Sequence, residues 1–262
     1  MMLGLGITLG AAAFRGAGGG SPPPAFDPAS LFSAGEAGFV LDPTRDTLST
    51  TTPGAGVSSI TTFVRSVTFN RGGGGLTPTY QLDGSLPYLQ FDGVDDYMLG
   101  SAASAGDAVT VVAAMRREQN AVVEDVLGIT SNPTGNNGTF ALAATADAAS
   151  DNIGFNSKGT GANALARAGS SSVGVNYVVT GIGDISADTC LIRRNGVQLG
   201  TNANDQGTGD YNGGTVFLGS RGGTSRFFKG RLYAMIVIYR SLTAGELANA
   251  EAWAAGKCGI TL

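Results

Sequence analysis

The sequence predicts an all-β protein, a two-sheet sandwich closed by one C-terminal helix. Three observations predict it. From Gly38 onward, short apolar runs are interrupted by Gly, Asn, Asp and Pro, the punctuation of brief strands and turns. Asn195-Gly196, between Cys190-Leu-Ile-Arg-Arg and Val197-Gln-Leu, supplies the two positive-φ positions of a type I′ hairpin. Helical periodicity is nearly absent until Thr243, which with Glu246 makes a capping box while Leu242 staples onto Leu247. Behind that cap Leu247, Ala250 and Ala254 share a stripe beside Trp253, and Gly256 is expected in the left-handed position that ends the helix.

The chain divides into an apolar start at 1–14, a Gly/Pro linker at 15–25 (RGAGGGSPPPA) and one domain over 26–262. In the start, Leu3, Leu5, Ile7 and Leu9 alternate with small residues and fall on one face of an extended strand. No Lys or Arg precedes this run, and it is too short to span a bilayer, so neither a secretory leader nor membrane insertion is expected. With Phe14, these residues are expected to anchor the chain on a partner by strand addition. Asp27 caps a short helical turn with Pro28 at its first position, and Gly35 ends it.

The strands are expected at 39–41, 60–67, 88–91, 97–99, 109–115, 122–129, 139–143, 152–155, 177–181, 189–193, 197–201, 216–219 and 232–239. With 42 Gly for turns and 42% hydrophobic residues for a core, they suffice for two sheets. Charged residues are only 14% of the chain and the net charge is −4, which gives no footprint for nucleic acid. There is no histidine, so the commonest general base and transition-metal ligand are missing. Cys190 and Cys258, the only thiols, read as small core residues.

Two segments carry a family resemblance. PYLQFDGVDDYM (87–98) resembles the FDG-x-DDY signature of laminin-G-like and pentraxin-like jelly rolls, and GRLYAMIVIYRSLTAGELANAEAWAAGKCGI (230–260) resembles their last strand and closing helix. NYVVTGIGD and CLIRRNGVQLG lie between them in the order such domains use, so the resemblance covers roughly 39–262. ITTFVRSVTFNRGGGG (60–75) replaces the Trp and the Gly/Asn-rich stretch that the family carries after its first strand. LFSAGEAGFVLDPT (31–44) and the leader GAGGGSPPP are similar to openings of tailed-phage and gene-transfer-particle virion proteins.

The resemblance implies a concanavalin-like two-sheet jelly roll. It further implies a virion surface protein (spike, fibre or decoration), assembled in the host cytoplasm, that adsorbs to cell-surface glycans. Its partners would be other virion proteins through the N-terminus and copies of itself, a trimer being the expected oligomer. The alternatives are a capsid or tail cement protein with no sugar contact, a secreted bacterial lectin, and a polysaccharide hydrolase.

Catalysis is not expected. Concanavalin-like hydrolases set their acids on alternating positions of one strand, as in E-x-D-x-x-E, and no such string occurs. Adjacent Glu124 and Asp125 would point to opposite faces of a strand. Asp92, Asp95 and Asp96 could collect calcium, but such side chains more often bond the backbone of their own turn, and neither metal nor cofactor is expected. For sugar contact, a ring beside amides is sought. Tyr211, Asn212, Asp205 and Gln206 form one candidate loop, and Asn136 and Asn137, in the loop 132–137, form another. Arg221, Arg226 and Arg231 near Phe227 and Phe228 suit either an interface or a ligand.

Overall fold

A computed structural model describes residues 26–73, 77–102 and 106–262; the expected anchor at Leu3, Leu5, Ile7, Leu9 and Phe14 and the linker 15–25 lie outside the described residues. Along the chain, a 3₁₀ turn (Pro28–Phe32) precedes β1 (Gly38–Leu41), β2 (Thr47–Leu48), β3 (Ser59–Thr61), β4 (Thr68–Arg71), β5 (Thr79–Asp83), β6 (Leu86–Asp92) and β7 (Met98–Ala102). There follow β8 (Ala108–Arg117), β9 (Glu124–Ile129), β10 (Thr139–Asp147), β11 (Asn152–Lys158), β12 (Ala164–Ser170) and β13 (Asn176–Asp184). The chain ends with β14 (Thr189–Arg194), β15 (Val197–Asn202), β16 (Gly214–Leu218), β17 (Lys229–Ile238) and the helix α1 (Ala244–Lys257).

The strands form two antiparallel sheets. Sheet A runs β15-β14-β13-β8-β17-β6-β5, with β1 also on β17, and sheet B runs β12-β11-β10-β9-β16-β7-β4-β3-β2. The long β17 serves two partners on one edge: Lys229–Leu232 pair with β6, while Met235–Ile238 pair with β1. This is a jelly-roll sandwich, as the sequence predicts.

Strand periodicity explains why the middle of sheet A is apolar throughout. Val111, Ala113 and Met115 of β8 and Met235 and Val237 of β17 face sheet B, joined by Phe69, Phe91, Phe140 and Phe155. The intervening Val112, Ala114, Ala234, Ile236 and Ile238 face outward into a second core, under Ala250, Ala254 and Ala255 of α1 and Leu31 and Phe32 of the 3₁₀ turn. Strands covered on both faces read as continuous hydrophobic runs rather than as alternation.

Local signals placed both helical segments. Asp27 Oδ1 accepts from Ala29 N at 3.0 Å and caps the 3₁₀ turn. Thr243 and Glu246 close the capping box reciprocally, and Arg240 braces Glu246 at 2.7 Å. The helix end differs from expectation, since Gly256 remains helical and Gly259, at φ +70°, takes the left-handed position. Ile260 N then donates to Ala255 O and Gly259 N to Gly256 O, a Schellman closure one turn later. The helix is too short and too polar to cross a membrane, as is every helix among the described residues. Both thiols are buried and unpaired, and burial pushes Cys190 up to about 12 and Cys258 to about 11.

Of the single strand expected over 60–67, only Ile60 and Thr61 are strand. β3 stops at Thr61, Arg65 (φ +63°) and Ser66 (φ +49°) reverse the chain, and β4 starts at Thr68. No Gly or Asn marks this turn. Thr62 Oγ1 accepts from Val67 N at 3.0 Å, and Arg65 donates to Glu36 O and Phe32 O, which hold the reversal from outside. Four strands were not anticipated: β2, β4, β5 and the Ala-rich β12, whose Ala164, Ala166 and Ala168 fill the core without a β-branched side chain.

Arg117, at the end of β8, is 0% exposed and ties three loops together. It pairs with Asp151 at 2.7 Å and donates to Ser171 Oγ and O, Asp151 O, Gln119 O and Asn120 Oδ1. Removing one partner of a buried pair strands the other groups, so Arg117→Met should destabilise the fold by about 3–5 kcal/mol. The midpoint of urea unfolding measures it, and a shift worth under about 1 kcal/mol would contradict this account of the loops.

Candidate functional site

The two loops expected to contact sugar meet at one end of the sandwich. Asn212 donates to Asn137 O at 3.0 Å through Nδ2 and to Gly138 O at 2.8 Å through its backbone N–H. Asn136 donates to Thr130 Oγ1, Asn137 Oδ1 accepts from Lys158 Nζ, and Asp205 Oδ1 accepts from Gly207 N. These four polar residues are exposed. The ring and the second amide are not. Tyr211 is 0% exposed, its hydroxyl 2.6 Å from Ser157 Oγ and its ring edge-on to Phe140. Gln206 is equally buried, accepting from Ser157 Oγ and donating to Asp184 O. A ring without an open face cannot stack on a pyranose, so the expected platform at Tyr211, and the amide of Gln206, belong to the interior.

Asp92, Asp95 and Asp96 form a tight turn. Asp92 Oδ1 accepts from the backbone N–H of Val94, Asp95 and Asp96, and Asp96 Oδ2 accepts from Asp92 N. Their carboxylates converge within 4.8 Å. Burial, followed by repulsion from Asp92, pushes Asp96 up to about 6.

A different set of groups collects on the outer face of sheet B. Leu127 of β9 pairs with Leu142 of β10, and both face the core. The next partners are Ala143 and Asp125, so Val126 is an extra residue on β9. A bulge turns the following side chain to the other face. Regular alternation would have pointed Asp125 the same way as Leu127; the bulge instead sets it with Ala141, Ala143, Gly154 and Asn156 around a cavity of about 40 Å³. Pro133 and Thr134 roof the cavity from one loop, and Arg226 closes it from another.

The bonding in this cavity is incomplete. Asp125 is 2% exposed and Asn156 5%, yet Asp125 Oδ2 and Asn156 Oδ1 have no hydrogen-bond partner. Arg226 Nη1 stands 3.7 Å from Asp125 Oδ1, beyond hydrogen-bond reach. Burial outweighs the attraction of Arg226 and Arg221 and pushes Asp125 up to about 6. Arg221 donates through Nη2 to Asn132 Oδ1 and Thr134 Oγ1, which ties it to the loop that roofs the cavity. Two non-glycine residues beside the site are left-handed, Thr130 at φ +67° and Arg226 at φ +52°. For a β-branched residue in particular this is an outlier of the kind that gathers at functional sites.

Aromatic rings adjoin the cavity on the same face. Val216 and Leu218 of β16 enter the core, so Phe217 between them faces outward opposite Gly128. Tyr97 lies 6.4 Å from Phe217 and 6.3 Å from Phe227, all three half-buried. A side chain at Gly72 or Gly223 would overlap the Tyr97 ring, so these glycines seat it. Of the arginines singled out in the sequence, Arg221 and Arg226 reach this face; Arg231 instead pairs with Glu118 and Asp83, and Phe228 is core. Asn156, Tyr97 and Phe217 carried no sequence signal as site residues. Glu124 does not line the cavity: its Oε1 accepts from Lys229 N and Gln119 Nε2, and burial pushes it up to about 7.

No protein-family model matches the chain, and no curated protein does. Solved structures do. A sialidase from Trypanosoma rangeli in complex with the inhibitor DANA is similar at 13% identity over 82% of this chain and 32% of that one, with a TM-score of 0.53. A mutant of the NanB sialidase from Streptococcus pneumoniae is similar at 18% identity over 55% of this chain and 24% of that one, TM-score 0.45. The heptameric SAP-like pentraxin from Limulus polyphemus is similar at 17% identity over 66% and 83%, TM-score 0.48. The chain thus spans about a quarter to a third of the two sialidases, and the likeness is one of fold.

With no histidine in the chain, its buried carboxylates dominate titration near neutrality. Glu124 rises from 4.5 to about 7 and Asp125 from 3.8 to about 6, so between pH 4 and 7 the folded chain holds protons that the unfolded chain has released. Stability therefore falls as pH rises through that window. The melting temperature should be lower at pH 8 than at pH 5, and Glu124→Gln should flatten part of the slope; a melting temperature that rises from pH 5 to pH 8 would contradict these assignments.

Proposed function

We propose that the chain is a non-enzymatic, lectin-like module that binds saccharide on the outer face of sheet B and is displayed on a virion surface. The observation that carries the binding reading is the juxtaposition of half-buried Tyr97, Phe217 and Phe227 with a cavity whose acceptors, Asp125 Oδ2 and Asn156 Oδ1, await donors. Rings stack on the apolar face of a sugar, and its hydroxyls supply donors. Glycoside hydrolysis needs two carboxyl groups facing across the substrate, and Asp125 is the single acid that lines this cavity. That supports binding without turnover.

The display reading draws on the similarity of 31–44 and of the leader to virion proteins, with the N-terminal segment as the attachment to the particle and self-association, as a trimer, through the same mounting. A cement role without sugar is the second reading. It draws on the open edge strand β15, where Val197 and Leu199 stand 59% and 43% exposed. Such exposed apolar side chains suit a protein neighbour.

A glycan array probed with the full chain tests the binding reading. Reproducible binding should weaken about tenfold or more in Phe217→Ala, the scale of one lost stacking contact. A blank array, with particles made fragile by loss of the protein, would replace it with the cement reading. Deletion of residues 1–20 should abolish incorporation into particles while the domain still folds; normal incorporation would remove the attachment assigned to that segment.

A further inference from the structure

The charge of the face goes further than its shape. Two guanidinium groups, Arg221 and Arg226, flank one carboxylate, Asp125, and the only ion pair Arg226 makes among the described residues is the 3.7 Å contact with it. Arg221 makes no ion pair among the described residues. Burial first, and then the like charge of Arg226, lower its pKa, with Asp125 opposing them. Arg221 is also set in place, because Asn132 and Thr134 hold its Nη2. Those two bonds take both Nη2 hydrogens, so Arg221 keeps Nη1 for an anion, while the fork of Arg226, with one loose ion pair, has the planar donors that match a carboxylate two at a time.

A bare anion would leave the site unfinished. Asp125 Oδ2 and Asn156 Oδ1 are acceptors, and an anion offers them no hydrogen. The cavity of about 40 Å³ admits one hydroxyl or hydroxymethyl arm and excludes a sugar ring. Taken together, the face asks for an anionic group, a hydroxyl donor and a ring face within one ligand. We propose that it selects acidic saccharides: the guanidinium groups of Arg221 and Arg226 take the carboxylate of a uronic-acid residue, while a hydroxyl of the same glycan enters the cavity to donate to Asp125 and Asn156. This rests on the saccharide-binding reading above and adds the ligand's charge class. The chain's overall charge of −4 fits a local recognition of single acidic sugars rather than capture of a polyphosphate.

The test uses the full chain, oligosaccharides of galacturonate, glucuronate and mannuronate, and the methyl esters of the same oligosaccharides, which keep the rings and hydroxyls but lose the charge. Calorimetry should show at least about tenfold weaker binding of each ester than of its acid, as expected when a charge-assisted pair is lost. Arg226→Gln and Arg221→Gln should each weaken the acid about tenfold and leave the ester unchanged, while Arg226→Lys, which keeps the charge but not the fork, should fall between. Thermal melts of each variant show that it is folded; if a Gln variant does not fold, the acid-to-ester ratio of the native chain decides alone. Equal affinity for acid and ester, or folded Gln variants that keep the acid's affinity, would overturn the inference. Binding of neutral glycans only would overturn it and leave the lectin-like reading standing, whereas binding of no saccharide of either kind would remove both.

Discussion

The architecture depends on how sheet A is covered. Its central strands β8 and β17 are apolar on both faces, so neither face can be left to water. One face is met by sheet B, and the other by the alanine stripe of α1 and by the 3₁₀ turn. Small side chains on α1 let the helix lie close on the strands, and Glu251, a buried charge in that interface, is held by Arg193 at 2.7 Å and by the Thr180 hydroxyl. Among the described residues no helix covers sheet B. The loops that follow β9 and β16 lie on its outer face, and loops can be shaped around a ligand where a packed helix cannot.

On that outer face, one extra residue decides the chemistry. Placing Val126 out of register brings a carboxylate to the surface layer of the sheet, where regular alternation would have driven it into a core of Leu, Phe and Val. The bulge does not make the carboxylate comfortable. Asp125 remains buried, with its pKa raised, because the loop carrying Arg226 covers it without bonding it fully. Asp125 N donating to Arg226 O at 3.0 Å fixes the covering loop to the strand, so the left-handed backbone at Arg226 is held by the element it covers.

What could be read in the sequence follows the range of the interaction that determines it. The Asn195-Gly196 hairpin is set by two residues, and both take positive φ, +49° and +78°, with Arg194 opposite Val197. The helix start is set by four residues and was equally legible. The reversal at Arg65-Ser66 was not, because the groups that hold it come from Thr62 and, through Arg65, from carbonyls near residue 36. Tyr211 shows the same limit at the site. Its neighbours Asn212 and Gly213 give it the look of an exposed loop ring, whereas its burial comes from Ser157 and Phe140, more than fifty residues away. Arg221, Arg226 and Phe227 were visible as a cluster because they are neighbours in the chain; Tyr97, Phe217 and Asn156 join them only through sheet pairing.

Three buried charges elsewhere in the protein contrast with the open cavity, while Glu124 Oε2 and Asp96 Oδ1 share its lack of a partner. Arg117 spreads its guanidinium over acceptors in three loops, Glu251 is bound by a guanidinium and a hydroxyl, and buried Asp42 takes Lys257 at 2.6 Å and the Thr44 hydroxyl. Each lies where the fold surrounds it with fixed partners, acceptors for Arg117 and donors for the two carboxylates. Asp125 and Asn156 lie equally deep, with Arg226 no nearer than 3.7 Å to Asp125 Oδ1, and keep unbonded oxygens in residues that line one cavity. An unpaired buried acceptor costs roughly 1–3 kcal/mol. Two of them in residues lining one cavity, under strained loops and beside three aromatic rings, are the acceptors that the proposed saccharide hydroxyls would satisfy.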